Sequence, residues 1–295
     1  MNMFTTKASV ERRASRAKCS GLSSFVPRPS SAFTMVEIAI CLAIIGVALV
    51  AIIGVLPVGL RTQRDNREET LINQDATVFI EAIRNGAFGL NDLTNYVYAI
   101  TNYWARYNAD GSFKQSGVNG YTYSAGLATA PYPTTPFPIN SGTNIIGLLS
   151  TPEFTDVTNF APLGSIADTS YYSNHVVAYV RSVSGPADER PPQDNPIMQA
   201  DTFAYRILCV NAPLAMDTNT FWLTPDQRPY NTQLAASLRE LRLTFLWPQL
   251  PNGSLGAGRQ TFRTQVAGQM AQVFTNGQWL YFYQPHTFTN VVSAQ

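Results

Sequence analysis

Charge is what this sequence has least of. Only 13% of its 295 residues are Asp, Glu, Lys or Arg, against about a quarter in an average soluble domain. Histidine is reduced to His175 and His286, and cysteine to Cys19, Cys41 and Cys209. These shortages exclude functions. No Cys-x-x-Cys spacing occurs, so neither a zinc knuckle nor a disulfide framework is supported. Neither histidine has a second ligand type at metal spacing, and a lone histidine is more often a structural or surface residue. Gly-x-Ser-x-Gly, His-Glu-x-x-His and phosphate-loop patterns are all missing. No catalytic constellation or cofactor pattern is left, and an enzyme is not expected.

The near-neutral total hides an asymmetry. Of 20 basic and 19 acidic residues, six basic ones (Lys7, Arg12, Arg13, Arg16, Lys18 and Arg28) and the single acid Glu11 lie in residues 1–32. The rest holds 14 basic against 18 acidic residues, a mildly acidic body without the electrostatic footprint of a nucleic-acid binder. Residues 1–32, rich in Ser, Arg and Pro, read as a basic, disordered leader.

Behind the leader runs the one long apolar segment. From Ile38 to Leu60 there are 23 residues without a charge. As a helix this stretch is about 35 Å long, enough to cross a hydrocarbon core. The leader's positive excess outweighs the cluster Arg61, Arg64, Arg67 beyond the segment, which places the N-terminus in the cytoplasm. A secretory signal peptide fits poorly, because its apolar region runs to only about 15 residues and ends in a small-x-small cleavage site. A plain signal anchor fits the length but leaves Glu37 unexplained. A carboxylate at the centre of a membrane helix costs about 2.5–3.5 kcal/mol, and less near the interface. At headgroup level Glu37 costs little; deeper, it calls for a partner.

The residues around Glu37 are Ala32-Phe-Thr-Met-Val-Glu37, followed by the apolar run. This segment resembles the cleavage and methylation site of type IV prepilins and type II secretion pseudopilins. The resemblance implies that prepilin peptidase, a membrane enzyme, cuts between Ala32 and Phe33 and N-methylates Phe33, with Thr34, Met35 and Glu37 completing the processing site. Ala32 stands where the family usually has Gly. Glu37 corresponds to the family's glutamate, which pairs with the terminal amine of a neighbouring subunit during assembly. The further implied partners are other pilin or pseudopilin subunits, the inner-membrane assembly platform and the membrane itself. The implied location is a single inner-membrane pass with the head periplasmic, or extracellular in a filament. Leu56-Pro-Val-Gly-Leu60 and Trp247-Pro with Gly258-Arg-Gln-Thr-Phe-Arg-Thr264 are similar to segments of prepilin-like cassette proteins of Verrucomicrobia.

The helix is expected to outlast the membrane. Ile72, Ala76, Phe79 and Ile83 form a helical stripe, and Arg61–Asp65 and Arg64–Glu68 are opposite charges four residues apart. Asn85-Gly86 is a plausible stop. One helix from Phe33 to Asn85 then spans about 80 Å, with Pro57 expected to bend or loosen it. Residues 87–172 read as irregular segments and short strands. Clear strands follow at His175–Val183, Phe203–Cys209, Leu241–Trp247, Thr261–Val266 and Trp279–Tyr283, with Pro248–Gly258 as a long hairpin loop. The expected fold class is α+β: a long N-terminal helix, membrane-spanning in its first half, packed on an antiparallel sheet in the pilin manner. The divisions are a leader (1–32), a membrane or filament-core helix (33–60), its amphipathic continuation (61–86) and a β-rich head (87–295).

Weaker features in the head carry little. Cys209 on an apolar strand face reads as core, and Cys41 faces lipid or a neighbouring helix. Asn108-Ala-Asp-Gly-Ser112 begins like a calcium loop, but no acid completes the pattern, and an Asx turn fits better. The loop Pro186–Asp194 gathers three acids and is either a calcium site or a solvated loop. Seven tyrosines between Tyr96 and Tyr132 serve either packing or a sticky surface for partners or carbohydrate. Two functions remain: a minor pilin or pseudopilin assembled through its helix, or a signal-anchored binding protein or adhesin outside any filament.

Overall fold

The computed structural model describes residues 33–86, 91–122, 137–163, 169–184, 202–214 and 237–285. The chain divides into two compact units, Met1–Leu60 and Arg61–Gln295. A single helix, α1 (Met35–Arg84, 50 residues), contributes to both. Its limits fall within two residues of those read from the sequence.

In the first unit α1 starts on a cap. The Thr34 side-chain oxygen accepts the Glu37 N–H at 3.3 Å, and the Thr34 carbonyl accepts the Ile38 N–H at 3.2 Å. Every residue from Phe33 to Leu60 is exposed. The most apolar 18-residue window of α1 has a mean hydropathy of 3.1 and no buried residue. By length and composition alone this helix can cross a membrane. The helix continues through Pro57, which has no N–H to give to the carbonyl one turn back.

In the second unit the expected stripe is the buried face of α1. Ile72, Ala76, Phe79 and Ile83 are all fully buried, joined by Asp75 and Ala82. Burying each large aliphatic or aromatic side chain contributes about 1.5–3 kcal/mol. Of the two helix ion pairs expected, Arg64–Glu68 forms at 2.8 Å, whereas Arg61 and Asp65 do not pair. The helix stops where glycine allows it. Gly86 takes φ +66°, its N–H bonds the Ile83 carbonyl, and a Cβ there would lie 2.5 Å from the Tyr283 carbonyl oxygen.

The head is built on a mostly antiparallel sheet. Its strands are β1 (Val97–Tyr107), β2 (Phe113–Thr122), β3 (Phe137–Pro138), β4 (Phe154–Asp156), β5 (Tyr171–Arg181), β6 (Ala204–Pro213), β7 (Leu238–Gln249) and β8 (Leu255–Ala267). The order is β3-β2-β1-β5-β6-β7-β8, with β4 also paired to β5 and only β2–β3 parallel. A separate hairpin pairs β9 (Gln269–Thr275) with β10 (Gln278–Gln284). One face of the large sheet is apolar. Tyr205, Ile207 and Cys209 of β6 and Leu241, Leu243 and Phe245 of β7 are buried in one core with the α1 stripe. The alternation read from the sequence is thus the inward face, and α+β is the observed class.

Two expectations fail. The described residues between 87 and 172 are not mainly irregular: β1 and β2 form an antiparallel hairpin of strands 11 and 10 residues long, and α2 (Gly142–Leu149) is a helix. Ser141 caps α2 by accepting the Asn144 N–H. Nor is Pro248–Gly258 a long loop. The strands run on to Gln249 and from Leu255, leaving a tight turn in which the Leu250 carbonyl accepts the Gly253 N–H. The extension tolerates Trp247 because its cross-strand partner is Gly258, where any Cβ would lie 2.5 Å from the indole.

Candidate functional site

Of the processing motif, Met35 and Glu37 lie in the first turn of α1, and Phe33 and Thr34 lead into it. Ala32 lies outside the described residues. Phe33 and Met35 are 74% and 87% exposed. Thr34 is the cap and Glu37 sits three residues later, the Thr-x-x-Glu spacing of a capping box. An acid in the first turn also complements the positive end of the helix dipole, worth about 0.3–1 kcal/mol. Glu37 therefore has a local helix-starting role in addition to any role with a partner. It forms no ion pair among the described residues. Pro57 is about 30 Å further along the helix and no part of that turn.

The head's reactive groups resolve into structural ones. Cys209 is buried, its thiol donates to the Leu149 carbonyl, and burial pushes its pKa up, away from thiolate chemistry. His175 does not open a strand; it lies exposed within β5, opposite Tyr103. Asp110 makes the expected Asx turn, accepting the N–H and hydroxyl of Ser112 at 2.9 and 2.6 Å between β1 and β2. These bonds hold its carboxyl below the usual range. No cluster of three or more metal-ligating side chains occurs among the described residues. The acidic loop Pro186–Asp194 and His286 lie outside them. Cys41 is exposed on α1.

The head has a concave site that the sequence analysis did not anticipate. A cavity of about 600 Å³ lies between the β1, β2 and β5 end of the large sheet and the β9–β10 hairpin. One wall is a row of rings. Trp104 meets Tyr172 edge-on at 5.5 Å, Phe160 stacks on Tyr172 at 5.7 Å and on Trp279 at 5.6 Å, and Phe274 follows at 5.0 Å. The local backbone is shaped to present them. Gly117 faces Trp104 across the strand pair, and a Cβ there would lie 2.4 Å from the indole. Phe160 holds φ +57°, a costly conformation for a large side chain, while its carbonyl accepts the Tyr281 hydroxyl at 2.9 Å. Asn276 and Gly277, with φ +51° and +78°, make the two-residue turn that places Gln278 and Trp279 at the start of β10.

The other lining groups are amides and hydroxyls. Asn174 donates to the Pro152 carbonyl at 3.1 Å and to the Thr155 hydroxyl at 3.2 Å, and accepts from Asn102 at 3.2 Å. The remaining Asn102 oxygen has no partner. Gln278 is only 4% exposed, yet neither its Oε1 nor its Nε2 is hydrogen-bonded. None of the described side chains lining the cavity is charged. The Asn276-Gly277 dipeptide, a turn signal between two apolar runs, could have located this hairpin. The convergence of strands from distant parts of the chain left none.

Comparison of the chain with protein-family models, with curated proteins and with solved structures found no match.

Proposed function

We propose that this chain is a structural subunit, a minor pilin or pseudopilin, of a type IV pilus or a type II secretion pseudopilus. One observation carries the reading: an uninterrupted apolar helix surface, exposed from Phe33 to Leu60, with the lone carboxylate Glu37 at its start. Such a surface requires lipid or other apolar helices around it. A signal anchor satisfies that need as well, but there an acid beside hydrocarbon has only its local role at the helix start. In a filament the acid gains a partner. Prepilin peptidase removes residues 1–32, leaving a methylated amine on Phe33, and the amine of one subunit neutralises Glu37 of the next as the helices leave the membrane. The inner membrane stores the processed subunit with its head outside the cytoplasm, and the assembly platform extracts it.

The second reading, a signal-anchored binding protein or adhesin, draws its support from the head's aromatic cavity. Mass spectrometry of the N-terminus of protein purified from its own cell membranes separates the two. N-methylated Phe33 is the expected result. An intact leader in cells that contain the peptidase overturns the subunit reading and leaves the anchored binding protein.

A further inference from the structure

We infer that the cavity between the large sheet and the β9–β10 hairpin is a binding site for a neutral carbohydrate. The inference does not depend on how the N-terminus is processed.

The chemistry of the lining narrows the ligand. No described lining side chain is charged. A phosphate, carboxylate or amine would therefore give up its hydration without finding a countercharge. A purely apolar ligand is disfavoured too. It would leave Gln278 Oε1 and Nε2 and Asn102 Oδ1 buried and unpaired, each at the desolvation cost of an unmet polar group. The ligand that answers both constraints is neutral, has flat apolar faces and carries groups along its edges that donate and accept. A pyranose has C–H faces for the rings of Trp279, Phe160 and Phe274, and hydroxyls for the amides. A carboxamide offers an NH2 group that donates and an oxygen that accepts, the complement of neighbouring hydroxyls.

Preorganisation supports the same conclusion. The Gln278 carboxamide is 4% exposed, and the sheet holds its backbone opposite Thr275. Its unmet hydrogen bonds are a standing cost to the fold that a ligand removes on binding. The rings are held by one another in a row rather than splayed on loops. Phe274, 59% exposed, leaves an aromatic surface in solvent where a sugar chain can continue. The volume of about 600 Å³ lies within the range of small-molecule sites. A peptide is the weaker candidate. Peptides that add to sheets pair along an open strand edge, whereas the unmet groups here are side-chain amides.

The test uses the full chain in a detergent without a sugar headgroup. An array of neutral, sialylated and sulfated oligosaccharides is screened, and hits are titrated by tryptophan fluorescence, in which Trp104 and Trp279 at the cavity are two of the four emitters. The expected result is saturable binding of a neutral oligosaccharide. Gln278→Leu and, separately, Phe274→Ala should each weaken it by about tenfold or more. Gln278→Leu keeps the side chain's size and removes the unmet amide, so its melting temperature should equal or exceed that of the parent, separating lost binding from lost folding. The inference is overturned if no neutral oligosaccharide binds. It is equally overturned if binding survives both substitutions, if charged glycans are preferred, or if a synthetic proline-rich peptide binds and the neutral glycans do not.

Discussion

The hydroxyl of Tyr205 donates to the carboxylate of Asp75 at 2.7 Å in the interior of the head, joining the helix to the sheet. Asp75 is fully buried on the apolar face of α1. It also accepts the N–H groups of Val183 and Ser184 and the hydroxyls of Ser182 and Ser184, at 2.5–3.0 Å. Among the described residues, five donors and no cation surround this carboxylate. Packing of Ile72 and Phe79 alone tolerates small slips of the helix; a five-donor carboxylate does not, so Asp75 sets the helix register against the sheet.

Replacing Asp75 by Ala leaves those donors without an acceptor in a dry site. The expected loss is about 3 kcal/mol or more, because several hydrogen bonds to a charged group disappear together. Tyr205→Phe should cost about 1–2 kcal/mol. Denaturant unfolding of both single variants and the double variant checks this, and the double variant should be no worse than Asp75→Ala alone. Strict additivity would refute the shared network.

Gly86→Ala tests the helix stop. The substitution meets φ +66° and a contact 2.5 Å from the Tyr283 carbonyl oxygen. A cost of about 1–3 kcal/mol is expected, read as a lower melting temperature. Gly111→Ala, also at positive φ (+80°) but with open space around its Cβ position, should cost less.

Glu37→Gln separates insertion from assembly. The variant keeps a polar side chain at the helix start and loses the charge. Membrane insertion should be unchanged, and incorporation into sheared filaments should fall by about tenfold or more if the charge pairs with a neighbour's amine. Normal incorporation would confine Glu37 to its local role at the helix start.

Alkaline pH should weaken the head in a defined window. Burial raises the hydroxyls of Tyr121 and Tyr179 from 10.0 to about 12. A tyrosine is neutral when protonated, so a raised folded value favours the protonated fold. That stability is complete below pH 10, the unfolded value, and is lost as pH climbs through 12. Melting temperatures should hold through neutral and mildly alkaline pH and then fall across this window, in step with tyrosinate absorbance. Tyr121→Phe should shallow the fall.

The legible parts of the fold were those with one-dimensional patterns. Ile72 to Ile83 repeat at the helical period, and Tyr205 to Cys209 and Leu241 to Trp247 alternate at the strand period, because each element buries one face. The β1–β2 hairpin hid for the opposite reason. Its second strand, Phe113-Lys-Gln-Ser-Gly-Val-Asn-Gly-Tyr-Thr122, has two glycines and little alternation, and Trp104 lies across the gap that Gly117 leaves. The helix α2 is only eight residues long and buried almost all round, with only Thr143 exposed, which is too short a window for a helical period to be read.

By itself the sequence determined the long apolar N-terminal helix, its acid at Glu37, the stripe that continues it and the inward faces of the central strands. Each depends on spacing within one element. Only the tertiary structure decided the Asp75 network and the aromatic cavity. Asp75 looks like an interruption of the stripe until Ser182, Ser184 and Tyr205 arrive from more than a hundred residues away. The cavity exists only where the β1–β5 pairing aligns Asn102, Trp104, Tyr172 and Asn174 and the separate β9–β10 hairpin brings Gln278 and Trp279 beside them, and no local pattern records a neighbour that is distant in the chain.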